Sequence, residues 1–561
     1  MSLLKLSTKS LNRDKIIKIF LLLFILSLGL FLRLLDLDDR PFHNDEGVNY
    51  YFIDEMYRDG VFKYSHENYH GPSYFYLTAL FEYFIGENEY GHRMSAVVSS
   101  MGIILAPLFL GTLVSMRSRL FAMTFLVLSS SCLYYGRYAI HESLLVFASL
   151  SFSIFLFRWI ETRERRELLW IGLFLGLLIA TKETFIIYFF AAGLSALIIY
   201  GYNKIFGQLF RQYDYFLAGL LICSLVVSFL FSGFFRHPDG IRELLFGIQQ
   251  WVGRGHSDTG HHKPFFYYYD VFDLTEPVAM IGLIPLLYIA IYLLFQGVRN
   301  ILAIKNKSEL LKLDALMSIR EVMIRPIAKV EHRFVLYMFL TAIVNFFVYS
   351  YVPYKTPWLI INISAPSLFG LGVLLGSSFS FTLSLSSFGE FMQSRDKSKT
   401  FRQNSIFNGS LNFPLTLVFV PLVLYSGYYA LKFNFRENAL GALTPFIDPQ
   451  GVYGTRNPFA YVHAYDAMVE LGKDIDVYMT QYPNTKILVG TESYWPLPFY
   501  LRRHDNKLGY IASVKKPEEY TKEYQILILD PGIKLNDPNW DFKYYPMSEN
   551  QNADVYFLRK R

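Results

Sequence analysis

Residues 16–47 read IIKIFLLLFILSLGLFLRLLDLDDRPFHNDEG. The first part, from about Ile16 to Leu35, is apolar apart from Lys18 and Arg33. A hydrocarbon core about 30 Å thick needs roughly 20 apolar helical residues to cross it. This run is long enough, follows Lys5, Lys9, Arg13 and Lys15, and lacks a small-residue cleavage site, so it reads as an uncleaved first span. Immediately after it, RPFHNDEG (Arg40–Gly47) sets His43, Asp45 and Glu46 at the membrane surface. Adjacent carboxylates against an apolar wall are expected to have at least one raised pKa, which suits a general base or a cation ligand. The competing reading is a helix N-terminus, with Asn44 or Asp45 as its cap.

Composition extends this reading to the whole chain. Of 561 residues, 53% are hydrophobic, and 52 Phe with 42 Tyr outnumber the 47 acidic residues, a balance that excludes a disordered chain and fits a membrane protein. The net charge of +6 does not indicate nucleic acid, because most basic residues lie between apolar runs, where they set orientation. Cys132 and Cys223 both fall inside apolar runs, which argues against a disulfide framework or a metal cluster.

Eleven candidate spans follow: 16–35, 94–115, 120–135, 143–160, 168–181, 184–200, 215–235, 277–297, 334–352, 358–377 and 413–431. With the N-terminus cytoplasmic, every segment that alternation puts inside is basic-rich, including ETRERRE (Glu161–Glu167) and the long stretch Arg299–Arg333. Nearly all histidines then fall outside, His332 excepted. GPSYFYLTALFEYFIG (Gly71–Gly86) reads as an interfacial helix. The expected organisation is a transmembrane core over 1–376, a polar cytoplasmic linker over 377–412, a last span over 413–431 and a small extracytoplasmic α/β domain over 432–561. In that domain a helix near Tyr461–Tyr478 precedes strands near KILVG, LGYIA, YQILILD and DVYFLRK. The chain is expected in the cell (inner) membrane.

The chemistry-bearing residues gather at the outer tips. NYHGPSYFY (Asn68–Tyr76) places His70 beside a Gly-Pro turn, and YYGRYAIHES (Tyr134–Ser143) holds Arg137, His141 and Glu142 in a tight turn. TKET (Thr181–Thr184) presents Lys182 and Glu183, and VPYKTPWLI (Val352–Ile360) presents Tyr354 and Lys355. Ionisable residues so close to the bilayer are costly and usually functional or paired. A cation with almost no polar loop around it suits a phosphate, with snorkelling to the interface as the alternative. GRGHSDTGHHKPFFYYY (Gly253–Tyr269) offers His256, Asp258, His261 and His262, but their spacing matches no standard zinc pattern, and a mobile glycine-rich loop over a site is the better reading. Metal dependence stays open, and no nucleotide cofactor is expected, which the absence of a Gly-rich phosphate loop fits. Carboxylates and cations converging beside lipid imply a lipid-phosphate substrate.

Taken in order, the acidic pair after the first span, the Gly-Pro interfacial helix, the Arg-plus-acid turn and the two Lys tips resemble the C-type glycosyltransferase superfamily. Within it they are similar to the protein O-mannosyltransferase and aminoarabinose transferase branch. HNDEG, HHKPFFYY, YKTPW and SYWPLPFYLR resemble a prokaryotic subfamily labelled flippase activity-associated proteins. The resemblance, over roughly residues 15–370, implies a C-type glycosyltransferase fold and transfer of a hexose or pentose from a polyprenyl-phosphate donor. The acceptor would be a protein, lipid or glycan on the outer face, and the displacement a single inverting one. It implies that Asp45 deprotonates or positions the acceptor, with Glu46 its neighbour. Glu142 occupies a second acidic position where many relatives have Asp. Arg137, Lys182 and Lys355 would bind the donor phosphate, and His70 stands where relatives often have Lys. His43, His141, Glu183, His261, His262 and Tyr354 complete the expected substrate-binding set. The alternative is a transporter or flippase for lipid-linked glycans, which would more often show internal repeats and charges at mid-depth in its spans.

Overall fold

The computed structural model describes residues 13–66, 70–257, 262–281, 329–377, 416–435, 457–461, 463–548 and 551–559. The expected linker, apart from Ser377, lies outside them. Among the described residues six helices are long and apolar enough to cross a membrane: Asp14–Leu34, Glu89–Leu113, Glu142–Thr162, Tyr213–Phe231, Val330–Tyr351 and Pro357–Gly376. Phe185–Tyr200 and Tyr202–Arg211, bent by 104°, make a seventh if they count as one span. The chain is a multi-pass membrane protein. Eleven spans are not reached by this measure. The run expected over 120–135 is broken into Met116–Val127 and Ser130–Tyr135, with Ser129 capping the second piece. The run expected over 168–181 is the 13-residue helix Glu167–Ile179, and most of 277–297 lies outside the described residues.

In chain order the elements that build the site are α1 (Arg13–Leu34), α2 (Asn44–Asp59), α3 (Ser73–Ile85), α4 (Glu89–Leu105), α5 (Met116–Val127), α6 (Ser130–Tyr135), α7 (Glu142–Thr162), α8 (Glu167–Ile179), α9 (Phe185–Tyr200), α10 (Tyr202–Arg211) and α11 (Tyr213–Phe231). After them come α12 (Asp239–Ser257), α13 (Tyr267–Thr275), α14 (Pro277–Ile281), α15 (Val330–Tyr351), α16 (Ile361–Gly376) and α17 (Thr416–Asn434). Helices α7 and α16 are the buried spans of the bundle, whereas α1 exposes Phe20, Phe24 and Phe31 along a face suited to lipid. The expected interfacial helix is α3, whose end exposes Tyr83 and Phe84. The glycine-rich stretch read as a mobile loop begins as helix: α12 runs through Gly253 and Gly255 to Ser257.

Small residues set the closest helix crossing. A Cβ on Gly172 of α8 would run into the carbonyl oxygen of Gly219 on α11, so the two backbones touch where neither has a side chain. Gly71 is bounded the same way by the Ala180 carbonyl, which lets the Gly-Pro turn dock on the tip after α8.

The C-terminal domain carries helix α18 (Asp466–Gln481) and strands β1 (Ile487–Gly490), β2 (Leu508–Tyr510), β3 (Ile526–Leu529), β4 (Trp540–Pro546) and β5 (Asn552–Leu558). The sheet order is β2-β1-β3-β5-β4, parallel through β2, β1 and β3 and antiparallel through β5 and β4. Strand β4 was not expected. It is an edge strand whose middle residues are exposed, so it lacks the apolar run that marks β1 and β3.

Gly172→Ala is predicted to lower stability by about 1–3 kcal/mol through overpacking. Gly193→Ala, on α9 with nothing within 4 Å of the added methyl, should be neutral or slightly stabilising. Thermal unfolding of both variants in detergent checks this, and equal effects would contradict the packing account.

Candidate active site

Helix α2 begins with a reciprocal cap. The His43 Nδ1 accepts from the Asp45 N–H at 2.9 Å, and Glu46 accepts from the His43 N–H at 2.9 Å. Glu46 does more than cap. Its two oxygens accept from Arg93 of α4, at 2.8 Å from Nε and 2.9 Å from Nη2, and Oε1 also accepts from the Ala139 N–H at 2.8 Å. Both side chains of the pair are fully buried. Burial alone would raise the Glu46 pKa, but the Arg93 guanidinium overrides it and holds this carboxyl well below the usual carboxylate range. The expected rise is therefore reversed at Glu46, whose lone pairs are committed to structure. Arg93, absent from the expected site, is the residue that commits them.

Asp45 differs from its neighbour. It is half-buried, and its carboxylate makes no hydrogen bond or ion pair with any described residue. Its charge reaches Glu142, the first residue of α7. Glu142 forms a buried ion pair with Lys182 from the tip between α8 and α9. The expected acid and cation thus meet, and Asp45 stands beside them. His141 packs at 4.7 Å from the His70 ring and 4.5 Å from the Tyr74 ring, and burial, aided by the charges of His70 and Lys182, holds its pKa well below the usual histidine range. His70 Nδ1 lies 3.2 Å from Glu183. The turn that places His70 is fixed by Gly71 N–H on the Thr181 carbonyl at 3.1 Å and Ser73 N–H on the Ala180 carbonyl at 3.0 Å. Six of the expected residues, on three separate outer segments, are therefore neighbours.

Lys355 lies farther along. Its ammonium donates to the carbonyls of Lys263 at 3.1 Å and Val352 at 2.6 Å, and burial lowers its pKa. The link back to Glu142 is aromatic: Tyr349 feels the Glu142 charge, packs at 6.4 Å on Tyr268, and Tyr268 donates to the Thr356 carbonyl at 3.1 Å. His262 is exposed and pairs through its backbone with half-buried Tyr354. Asp258 and His261 lie outside the described residues. Among the described residues no three His, Cys, Asp or Glu side chains gather as a metal site.

Arg137 does not face this cluster with a free fork. Its guanidinium donates to the carbonyls of Asn434 at 2.7 Å, Leu35 at 2.5 Å and Asp36 at 3.0 Å, and it lies over the Phe435 ring. It ties the ends of α1 and α17 together. A groove of about 560 Å³ opens at the opposite end of α2, near Tyr57 and Phe234, and is separate from the Asp45 cluster.

Comparison with known proteins bears on the fold. Residues 69–229 match the family model described as dolichyl-phosphate-mannose-protein mannosyltransferase. The fold is similar to that of ArnT from Cupriavidus metallidurans bound to undecaprenyl phosphate, with a TM-score of 0.58 and 15% identity over 95% of this chain and 97% of that one. The apo state of ArnT aligns with a TM-score of 0.57 and 14% identity over the same shares. An Archaeoglobus fulgidus oligosaccharyltransferase aligns over 91% of this chain and 68% of that one, at 12% identity and a TM-score of 0.44. No curated protein matches by sequence. The chain has the C-type glycosyltransferase fold in the form that ArnT displays, and the expected resemblance to the mannosyltransferase and ArnT branch is met.

Arg93→Ala would leave the Glu46 charge buried and unpaired, at a cost of about 3–5 kcal/mol. The pH dependence follows from the depressed folded-state pKa of Glu46. Its contribution to stability is fully present above the ordinary value of 4.5 and is lost as pH falls towards the folded-state value. Parent and Glu46→Gln should therefore differ most near neutral pH and converge on acidification. Denaturant titrations at pH 7 and roughly pH 4 measure the gap; a gap that widens in acid would contradict the pairing.

Proposed function

We propose that the protein transfers a sugar from a polyprenyl-phosphate donor to an acceptor hydroxyl on the extracytoplasmic face of the cell membrane. The observation that carries this reading is the Asp45 carboxylate, without a hydrogen-bond or ion-pair partner among the described residues, beside the buried Glu142–Lys182 pair. The ArnT-like fold and the matched segment support it. The structure of ArnT bound to undecaprenyl phosphate supports a lipid phosphate as the donor class here. In this reading the N-terminus is cytoplasmic and the C-terminal domain extracytoplasmic, as the distribution of Lys and Arg requires.

The chemistry is a single displacement. The acceptor oxygen attacks the anomeric carbon, its proton passes to Asp45, and the bond from that carbon to the phosphate oxygen breaks. The electron pair leaves with the polyprenyl phosphate, and the anomeric centre inverts. Lys182 neutralises charge developing on the departing phosphate, released from Glu142 in part as the phosphate enters. Lys355 supplies a second cation, with Tyr354 beside it. His70 with Glu183, and the uncharged His43 and His141, line the approach and orient polar groups of the sugar. Glu46 and Arg137 act through the backbone they hold. The donor sugar is a hexose or pentose, and the acceptor is a protein, lipid or glycan. The transporter reading is not favoured, and neither comparison carries the flippase-associated label.

Asp45→Asn is predicted to reduce transfer by about 10²–10⁴-fold, the usual contribution of a general base, while leaving the unfolding temperature unchanged. Transfer assays with purified protein in lipid, using radiolabelled polyprenyl-phosphate sugar, measure it. Full activity would remove Asp45 from the mechanism. Lys355→Ala should weaken donor binding roughly tenfold or more, read from the donor Kd; unchanged affinity would exclude Lys355 from the phosphate site.

A further inference from the structure

The hydrophobic core of the C-terminal domain is completed by residues from outside that domain. Phe42 and Tyr50 belong to the same buried cluster as Met468, Leu471 and Ile475 of α18. Phe42 stacks on Phe499 at 3.9 Å, and its N–H donates to the Tyr500 hydroxyl oxygen at 2.7 Å. Tyr50 meets Phe499 edge-on at 5.0 Å. Gly47 faces Pro496 so closely that an added Cβ would sit 2.8 Å from the Pro496 Cα. His43 forms an antiparallel backbone bridge with His463, whose Nε2 lies 3.0 Å from both the Tyr134 and the Tyr138 hydroxyls.

These contacts bracket Asp45. Residues 42 and 43 are gripped before it, and residues 47 and 50 after it, while the Asp45 carboxylate makes no hydrogen bond or ion pair with the described residues of the domain. A domain serving only as an appendage would contact the bundle through its own surface. This one takes the first turns of α2 into its core.

We propose that the C-terminal domain is a positioning element of the transferase site, seating the N-terminus of α2 so that Asp45 faces the Glu142–Lys182 pair. Phe499, Tyr500 and Pro496 are the positioning residues. The catalytic consequence rests on the reading of Asp45 as the base; the seating of α2 does not.

The sheet supplies its own control. Successive strand residues point to opposite faces, so Ile487, Val489, Ile526 and Ile528 face the α2 seam, while Leu488, Leu527 and Leu529 pack with Val514 on the other side. Full-length Gly47→Ala, Tyr500→Phe and Val514→Ala proteins in lipid nanodiscs are compared by hydrogen–deuterium exchange over residues 42–50 and by transfer kinetics. Gly47→Ala should raise exchange there and lower kcat about tenfold or more, the expected result of a small misplacement, with the donor KM unchanged. Tyr500→Phe, which deletes one oxygen and no packing, should give the same pattern at about fivefold. Val514→Ala should lower the unfolding temperature yet leave both readouts at the parent level. Unchanged exchange in both seam variants, or an equal kcat loss in Val514→Ala, overturns the proposal. If Gly47→Ala does not fold, Tyr500→Phe decides. A parent protein that transfers no sugar would sink the transferase reading, and the exchange data would still decide whether the domain seats α2.

Discussion

One guanidinium organises the region around the site. Arg93 places all five of its N–H groups: two on Glu46, and the others on the carbonyls of Leu37, Arg40 and Pro41. The connection from α1 to α2 is thereby wrapped around a single buried cation. Removing such a charge from water is expensive, and only complete pairing repays it. Glu46 answers with two oxygens and also receives the Ala139 N–H, so the same pair reaches the turn before α7. Asn49 closes the loop by donating to the Ala139 carbonyl at 2.9 Å. The positions of Asp45 and Glu142 both descend from this arrangement.

The site shows a division of labour among charges that look alike in the sequence. Glu46 and Arg137 spend theirs on backbone and on burial, which makes them rigid and unavailable. Glu142 and Lys182 neutralise each other in the buried interior, a state from which an incoming phosphate can compete for the lysine. Asp45 alone among these acids keeps its carboxylate without a partner. Around them three histidines are kept uncharged: burial lowers the pKa of His43, His141 and His463. An uncharged imidazole offers a directional donor without adding a competing cation.

Much of this was legible in the sequence because its signals were local. Apolar runs marked α1, α7, α15 and α16, and the turn chemistry around Gly71 marked the start of α3. The tips that carry Asp45, Glu142 and Lys182 were legible because ionisable residues in minimal loops beside a membrane are rare. What was missed depends on distance along the chain. Arg93 lies 47 residues from Glu46, and nothing in HNDEG reveals which acid it will take. The acceptors of Arg137 are backbone carbonyls, which have no sequence signature. Strand β4 was hidden by its place at the exposed edge of the sheet, where Asp541 and Lys543 interrupt the aromatic residues. Helix α12 was hidden by glycines that suggested a loop.

The proposed function requires Asp45, the Glu142–Lys182 pair and Lys355 to meet one lipid phosphate. Cryo-electron microscopy of the full chain in nanodiscs with bound polyprenyl phosphate tests it most directly. The account predicts phosphate density within hydrogen-bonding distance of Lys182, with Lys355 on the same density and the Asp45 carboxylate facing it across a space the size of one sugar. Phosphate bound elsewhere, for example in the groove near Tyr57 and Phe234, with Lys182 still closed on Glu142, would contradict it.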